Sequence, residues 1–245
     1  MSAQLGILYG IGVGPGDPEL ISLKGLRLLK NVSVVAFPAG TQGKPGIAQQ
    51  IISEWLSPQQ IQLPLNFPYV QDADILEQAW EVATEQVWYY LQQAQDVAFV
   101  SEGDVSFYST FTYLAQTLQQ QHPEAQIQTI PGICSPLAAV AALGLPLASR
   151  GDRLVILPAL YTLQELESVL DWADMVVLLK VSSVYAQIWP LLKQRQLLEY
   201  SYVVERATSA QQVVHHDLQE QPQLKLPYFS LLIIQVKRAR CCSED

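Results

Sequence analysis

Three short stretches of this 245-residue chain concentrate glycine, carboxylate and hydroxyl groups tightly enough to do chemistry. They are Gly10-Ile11-Gly12-Val13-Gly14-Pro15-Gly16-Asp17, Ser101-Glu102-Gly103-Asp104-Val105-Ser106-Phe107-Tyr108-Ser109 and Ile130-Pro131-Gly132-Ile133-Cys134-Ser135-Pro136. The first resembles a dinucleotide fingerprint, but Pro15-Gly16-Asp17-Pro18 delays the following helix, so no helix start is aimed at a pyrophosphate. In the second, Gly103 lets backbone approach a ligand closely, and the Asp104 carboxylate either caps the helix that follows or pairs with a cationic centre. The third turns tightly into an Ala-rich helix. Its small side chains either admit a flat ligand near the backbone or simply pack helix closely on sheet.

These loops need strands to hold them, because ligands of open α/β sheets sit beyond the carboxyl ends of strands. Apolar runs predict strands at 5–13, 32–37, 97–100, 126–130, 154–157, 175–179 and 202–204, with late antiparallel strands at 213–218 and 228–236. Helical spacing falls at 20–29, 47–56, 72–95 (capped by Asp72 or Asp74), 107–121, 135–143, 162–172 and 185–194. The alternation predicts an α/β protein of two α/β domains, with a mostly parallel sheet in the first and a mixed sheet in the second. The polar segment 119–125, interrupted by Pro123, is the expected linker. The expected domains are therefore 1–120 and 121–237, followed by a mobile tail, 238–245.

Apolar residues make up 49% of the chain against 15% charged, the balance of a folded protein. A net charge of −9 with only 14 basic residues, clustered only at Lys237, Arg238 and Arg240, argues against nucleic acid as a partner. No apolar run reaches 18 residues and no secretory signal is evident, so no membrane role and a cytoplasmic location are expected. Cys134, Cys241 and Cys242 lack metal-site spacing, as do His122, His215 and His216, and no metal is expected.

Taken together, the loops resemble the class III, or tetrapyrrole, methyltransferases, from Leu5 to about Val236. The matching stretches are Gly12-Val13-Gly14-Pro15-Gly16-Asp17-Pro18-Glu19-Leu20-Ile21-Ser22-Leu23-Lys24-Gly25, then Glu102-Gly103-Asp104 with Phe107-Tyr108-Ser109, then Pro131-Gly132-Ile133-Cys134-Ser135. Two departures stand out: Val105 where many relatives have proline, and Cys134 where serine or threonine is frequent.

The resemblance implies S-adenosylmethionine as cofactor, S-adenosylhomocysteine as product, a cleft between two domains as its site, and a homodimer. Carried over residue by residue, it implies cofactor contacts at Glu102, Gly103, Asp104, Phe107, Cys134 and Ser135, and in the second half at Lys180, Val181, Ala207, Thr208, Phe229 and Ser230. The first loop, with Pro15 and Gly16, would border the tetrapyrrole. Within the family, Val34-Val35-Ala36-Phe37-Pro38, Leu178-Leu179-Lys180-Val181 and Pro227-Tyr228-Phe229-Ser230-Leu231 resemble the subgroup methylating meso carbon 20 of precorrin-2 or cobalt-factor II in cobalamin biosynthesis. Other readings are methylation of another corrin precursor or uroporphyrinogen III, or a non-catalytic tetrapyrrole carrier. A nicotinamide oxidoreductase is disfavoured, because no acidic ribose partner follows the first loop at the usual spacing. A substrate with eight carboxylates needs cations, and Lys44, Arg150 and Arg153 are the expected holders, followed by Lys24 and Arg206. No general base is assigned.

Overall fold

The computed structural model describes residues 4–40, 44–68, 70, 72–159 and 162–242. The chain divides into two compact units, Met1–Cys134 and Ser135–Asp245.

In the first unit, β1 (Ile7–Gly12), β2 (Val34–Pro38), β3 (Ile61–Leu65), β4 (Val97–Ser101) and β5 (Gln126–Ile130) form a parallel sheet in the order β3-β2-β4-β1-β5. Strands β1, β2 and β4 are buried on both faces, which is why they read as unbroken apolar runs. Leu8, Val34, Val97 and Phe99 pack with α3 (Ala73–Leu91) and α4 (Thr110–Gln121) on one face. Tyr9, Ile11, Val35 and Val100 pack with α1 (Leu23–Asn31) and α2 (Ile47–Ile52) on the other. The Asp72 carboxylate caps α3 by accepting from the backbone of Asp74 and Ile75, as its position in the sequence predicts.

Two expectations need correction here. The segment 119–125 is not a linker between domains: α4 runs to Gln121, and after a short turn β5 pairs with β1 along the edge of the first sheet. Hydrogen bonding along β1 draws the chain back, so the division falls after Cys134. Strand β3 was also unforeseen, because its sequence, Ile-Gln-Leu-Pro-Leu, holds a proline that only an edge strand tolerates.

The second unit starts with α5 (Ser135–Leu143). Its mixed sheet has the order β6-β7-β10-β8-β9, from β6 (Leu154–Leu157), β7 (Met175–Leu179), β8 (Ser201–Glu205), β9 (Val213–His215) and β10 (Ser230–Ile234). Only β6 and β7 run parallel; β10 lies antiparallel between β7 and β8. One face packs on α6 (Leu163–Trp172) and α7 (Tyr185–Gln194) through Leu166, Leu170, Ile188 and Leu192. The expected tail instead begins with a helix, α8 (Val236–Cys242), tied down by an ion pair from Lys237 to Asp152 at 2.6 Å. Residues 243–245 of that tail lie outside the described residues.

Candidate active site

The glycines of the three loops all belong to the first unit, and there the loops meet. Beyond the end of β1, the Val13 amide donates to the Ser101 carbonyl at 3.0 Å. Gly14 and Gly103 then exchange a pair of hydrogen bonds, Gly103 N to Gly14 O at 2.7 Å and Gly14 N to Gly103 O at 3.2 Å. Both glycines have positive φ, 79° and 70°, a conformation that side chains resist. The third loop crosses the same point: a Cβ placed on Gly132 would stand 2.2 Å from the Gly103 carbonyl oxygen, and one on Gly12 would stand 2.6 Å from the Gly132 nitrogen. Glycine is required at Gly12 and Gly132 by space and at Gly14 and Gly103 by backbone angle.

Asp104 joins the second loop to the third. Asp104 is buried, 8% exposed. One oxygen accepts from the Ser106 amide at 2.8 Å and the Ser106 hydroxyl at 2.5 Å, while the other accepts from the Gly132 amide at 2.7 Å. Burial pushes this carboxyl up, but the three hydrogen bonds outweigh it and hold the group below the usual carboxylate range, so it is ionised at neutral pH. The helix-cap reading of Asp104 is corrected by Ser109, whose hydroxyl accepts from the Phe111 amide and caps α4. Ser109 also shares a 2.8 Å hydrogen bond with Ser101. Ser101 and Ser106 were given no role from the sequence, and Ser109 only a place in the family match; the Asp-x-Ser spacing at 104–106 is the signal that could have marked Ser106.

Beside this crossing lie half-buried Glu102, Phe107 and Cys134. Phe107 meets Tyr108 edge-to-face at 4.8 Å, and Tyr108 is 57% exposed with φ of 53°, a strained angle for a large side chain. Pro15 and Gly16 follow Gly14 in a half-buried bend. The loops carry Asp17, Glu102 and Asp104 but neither lysine nor arginine. That charge balance suits a cation and repels a phosphate, so the residues present fit a sulfonium nucleoside better than a dinucleotide.

The second unit gathers its own predicted residues at one end of its sheet. Lys180 follows β7 and Arg206 follows β8, and both lead toward Phe229 and Ser230, because Leu231 pairs with Leu179 and Ser230 with Glu205. The Arg206 amide donates to the Phe229 carbonyl at 2.7 Å, and the Lys180 ammonium lies 5.5 Å from the Tyr228 ring centre. Val181 and Ala207 are buried. Lys180, Arg206 and Thr208 all have positive φ, at 55°, 44° and 65°, a concentration of strain of the kind found at ligand clamps. Ser135 opens α5.

The predicted substrate cations fall in both units. Lys44 is exposed just before α2, and its neighbour Gly43 lies outside the described residues. Arg150 is exposed in a turn. Arg153 precedes β6 at the end of the sheet opposite Lys180, and its guanidinium pairs with Asp174 at 2.9 and 3.3 Å.

Among known proteins, the family model for the tetrapyrrole (corrin/porphyrin) methylases matches residues 7–222. The cobalamin biosynthesis protein CobIJ of Mycobacterium tuberculosis is 34% identical over 250 residues, covering 98% of this chain but 48% of that protein; the chain thus spans about half its length. The probable cobalt-precorrin-2 C(20)-methyltransferase of Methanocaldococcus jannaschii is 35% identical over 202 residues, covering 82% of this chain and 83% of the other. The fold matches a uroporphyrin-III C-methyltransferase from Thermus thermophilus, solved with S-adenosylhomocysteine. The TM-score is 0.66 and the identity 21%, over 96% of this chain and 100% of that one.

Proposed function

Because this chain belongs to the tetrapyrrole (corrin/porphyrin) methylase family, we propose that it transfers the methyl group of S-adenosylmethionine to meso carbon 20 of precorrin-2 or cobalt-factor II. The observation that carries the position of methylation is the likeness to the Methanocaldococcus jannaschii protein, whose name specifies C(20) and which aligns over most of both chains.

The cofactor supplies an electrophilic methyl on a good leaving group, and the meso carbon of a reduced tetrapyrrole is electron-rich. The chain's own part is alignment and exclusion of water, which in well-oriented models supplies up to about 7–11 kcal/mol. Glu102, Gly103, Asp104, Phe107 and Cys134 are assigned to the cofactor, with Ser135, Lys180, Val181, Ala207, Thr208, Phe229 and Ser230 from the second unit. Pro15 and Gly16 are assigned to the tetrapyrrole, whose acidic rim goes to Lys44 and Arg150. The protein is read as a cytoplasmic homodimer; among the described residues no helix is long and apolar enough to cross a membrane.

The test is to incubate the purified protein with labelled S-adenosylmethionine and either tetrapyrrole, then locate the label. Label at the bridge between rings is expected. Label on a pyrrole carbon would move the chain to another branch of the family, and no transfer at all, with tetrapyrrole still bound, would make it a carrier.

A further inference from the structure

The second loop links the other two by different means. Its backbone at Gly103 bonds the first loop at Gly14, and its Asp104 side chain bonds the third at Gly132. Pro131 has no amide hydrogen, so the Gly132 amide is the first donor of the third loop after β5, and the Asp104 carboxylate engages it. A carboxylate on a short stem has two torsions free to wander. Here both are fixed by Ser106, which offers its amide and its hydroxyl to the same oxygen, leaving the second oxygen aimed at Gly132.

We infer that Ser106 is a positioning residue for the cofactor: its hydroxyl orients the Asp104 carboxylate, which in turn holds the Gly132 turn in the shape that receives the nucleoside. The inference rests on the cofactor reading above and deepens it. It also changes the role of Asp104, whose oxygens are engaged by the protein, so that it acts on the cofactor through the third loop. Ser106 itself is exposed and lies outside the apolar core, so its removal perturbs the clamp and leaves the rest of the unit intact.

The experiment compares wild type, Ser106→Ala, Ser106→Thr and Asp104→Asn. It measures S-adenosylhomocysteine affinity by calorimetry, the KM for S-adenosylmethionine against kcat, the thermal midpoint, and the Gly132 amide resonance in labelled protein. Loss of one hydrogen bond to a charged group predicts that Ser106→Ala weakens affinity and raises KM roughly tenfold, with kcat at saturating cofactor within about twofold. The Gly132 resonance should shift while the thermal midpoint holds. Ser106→Thr, which keeps both donors, should restore all of these values. Asp104→Asn should weaken affinity at least as much as Ser106→Ala.

Unchanged affinity in Ser106→Ala alongside a wild type that binds would overturn the inference and leave the cofactor reading standing. A loss not rescued by threonine, or one that follows a fall in thermal midpoint, would also overturn it. A wild type that takes up no S-adenosylhomocysteine would overturn the cofactor reading instead, and the positioning role with it.

Discussion

Gly12 and Gly132 touch backbone to backbone: a Cβ on either would come within 2.7 Å of main-chain atoms of the other. No rotamer can relieve such a contact, because the atoms in the way belong to the chain itself. Gly132→Ala should therefore force the third loop away from Gly103. It should cost about 1–3 kcal/mol in denaturant unfolding and weaken S-adenosylhomocysteine binding by more than tenfold. Gly144→Ala is the matched control. Gly144 has φ of 66° with nothing within 4 Å of the added carbon, so it should cost about 1 kcal/mol from backbone angle alone and leave binding untouched.

Gly10 in β1 faces a side chain instead. Its added Cβ would lie 2.3 Å from the tip of the buried Phe111 ring. Gly10→Ala should destabilise by about 1–3 kcal/mol, and Phe111→Leu, costly alone, should recover part of that loss in the double variant. Additive costs in the double-mutant cycle would contradict the contact.

At the base of the second sheet, Asp174 accepts from the Arg153 guanidinium and backbone amide, and these bonds bring its carboxyl down to about 2. A carboxyl depressed in the folded state contributes stability that is present above its unfolded value, near 4, and is lost as pH falls toward 2. Asp174→Asn should flatten the stability curve in that window, measured by urea unfolding across pH. Arg153→Ala should act in the same way and leave substrate affinity unchanged.

Burial pushes the Tyr185 phenol up to about 12, while its hydroxyl donates to the Gln221 carbonyl at 2.8 Å. A phenol raised in the folded state contributes stability in full below the unfolded value, near 10, and loses it as pH rises toward 12. Tyr185→Phe should lose about 1 kcal/mol at neutral pH by leaving the carbonyl unpaired, and should lose the steep alkaline limb seen in circular dichroism.

Much of this architecture was legible because buried parallel strands are nearly pure apolar runs: β4 and β7 emerge from Val-Ala-Phe-Val and Met-Val-Val-Leu-Leu without further information. Strand β3 was not, since Pro64 and Gln62 suppress the pattern on an edge. The sequence marked Gly103 as a close-approach position and the Gly132 loop as a tight turn but put them in separate domains; only the pairing of β5 with β1 reveals a shared unit. The pairing of Arg153 was not legible, because charge says nothing about partners 21 residues away, and Asp174 holds it. Asp104 misled because an acid just ahead of a helix fits a cap as well as a staple, and only the Gly132 amide decides between them.

The pairing of β5 with β1 also sets where this protein can be cut. A fragment ending at residue 120 would strip β1 of its neighbour along Ile7, Leu8, Tyr9, Gly10 and Ile11, leaving a raw apolar margin ready to zip onto other molecules. Extending the fragment to residue 134 covers that margin with the polar, outward-facing β5. Solubility of the longer piece, and precipitation of the shorter, is the behaviour this arrangement demands.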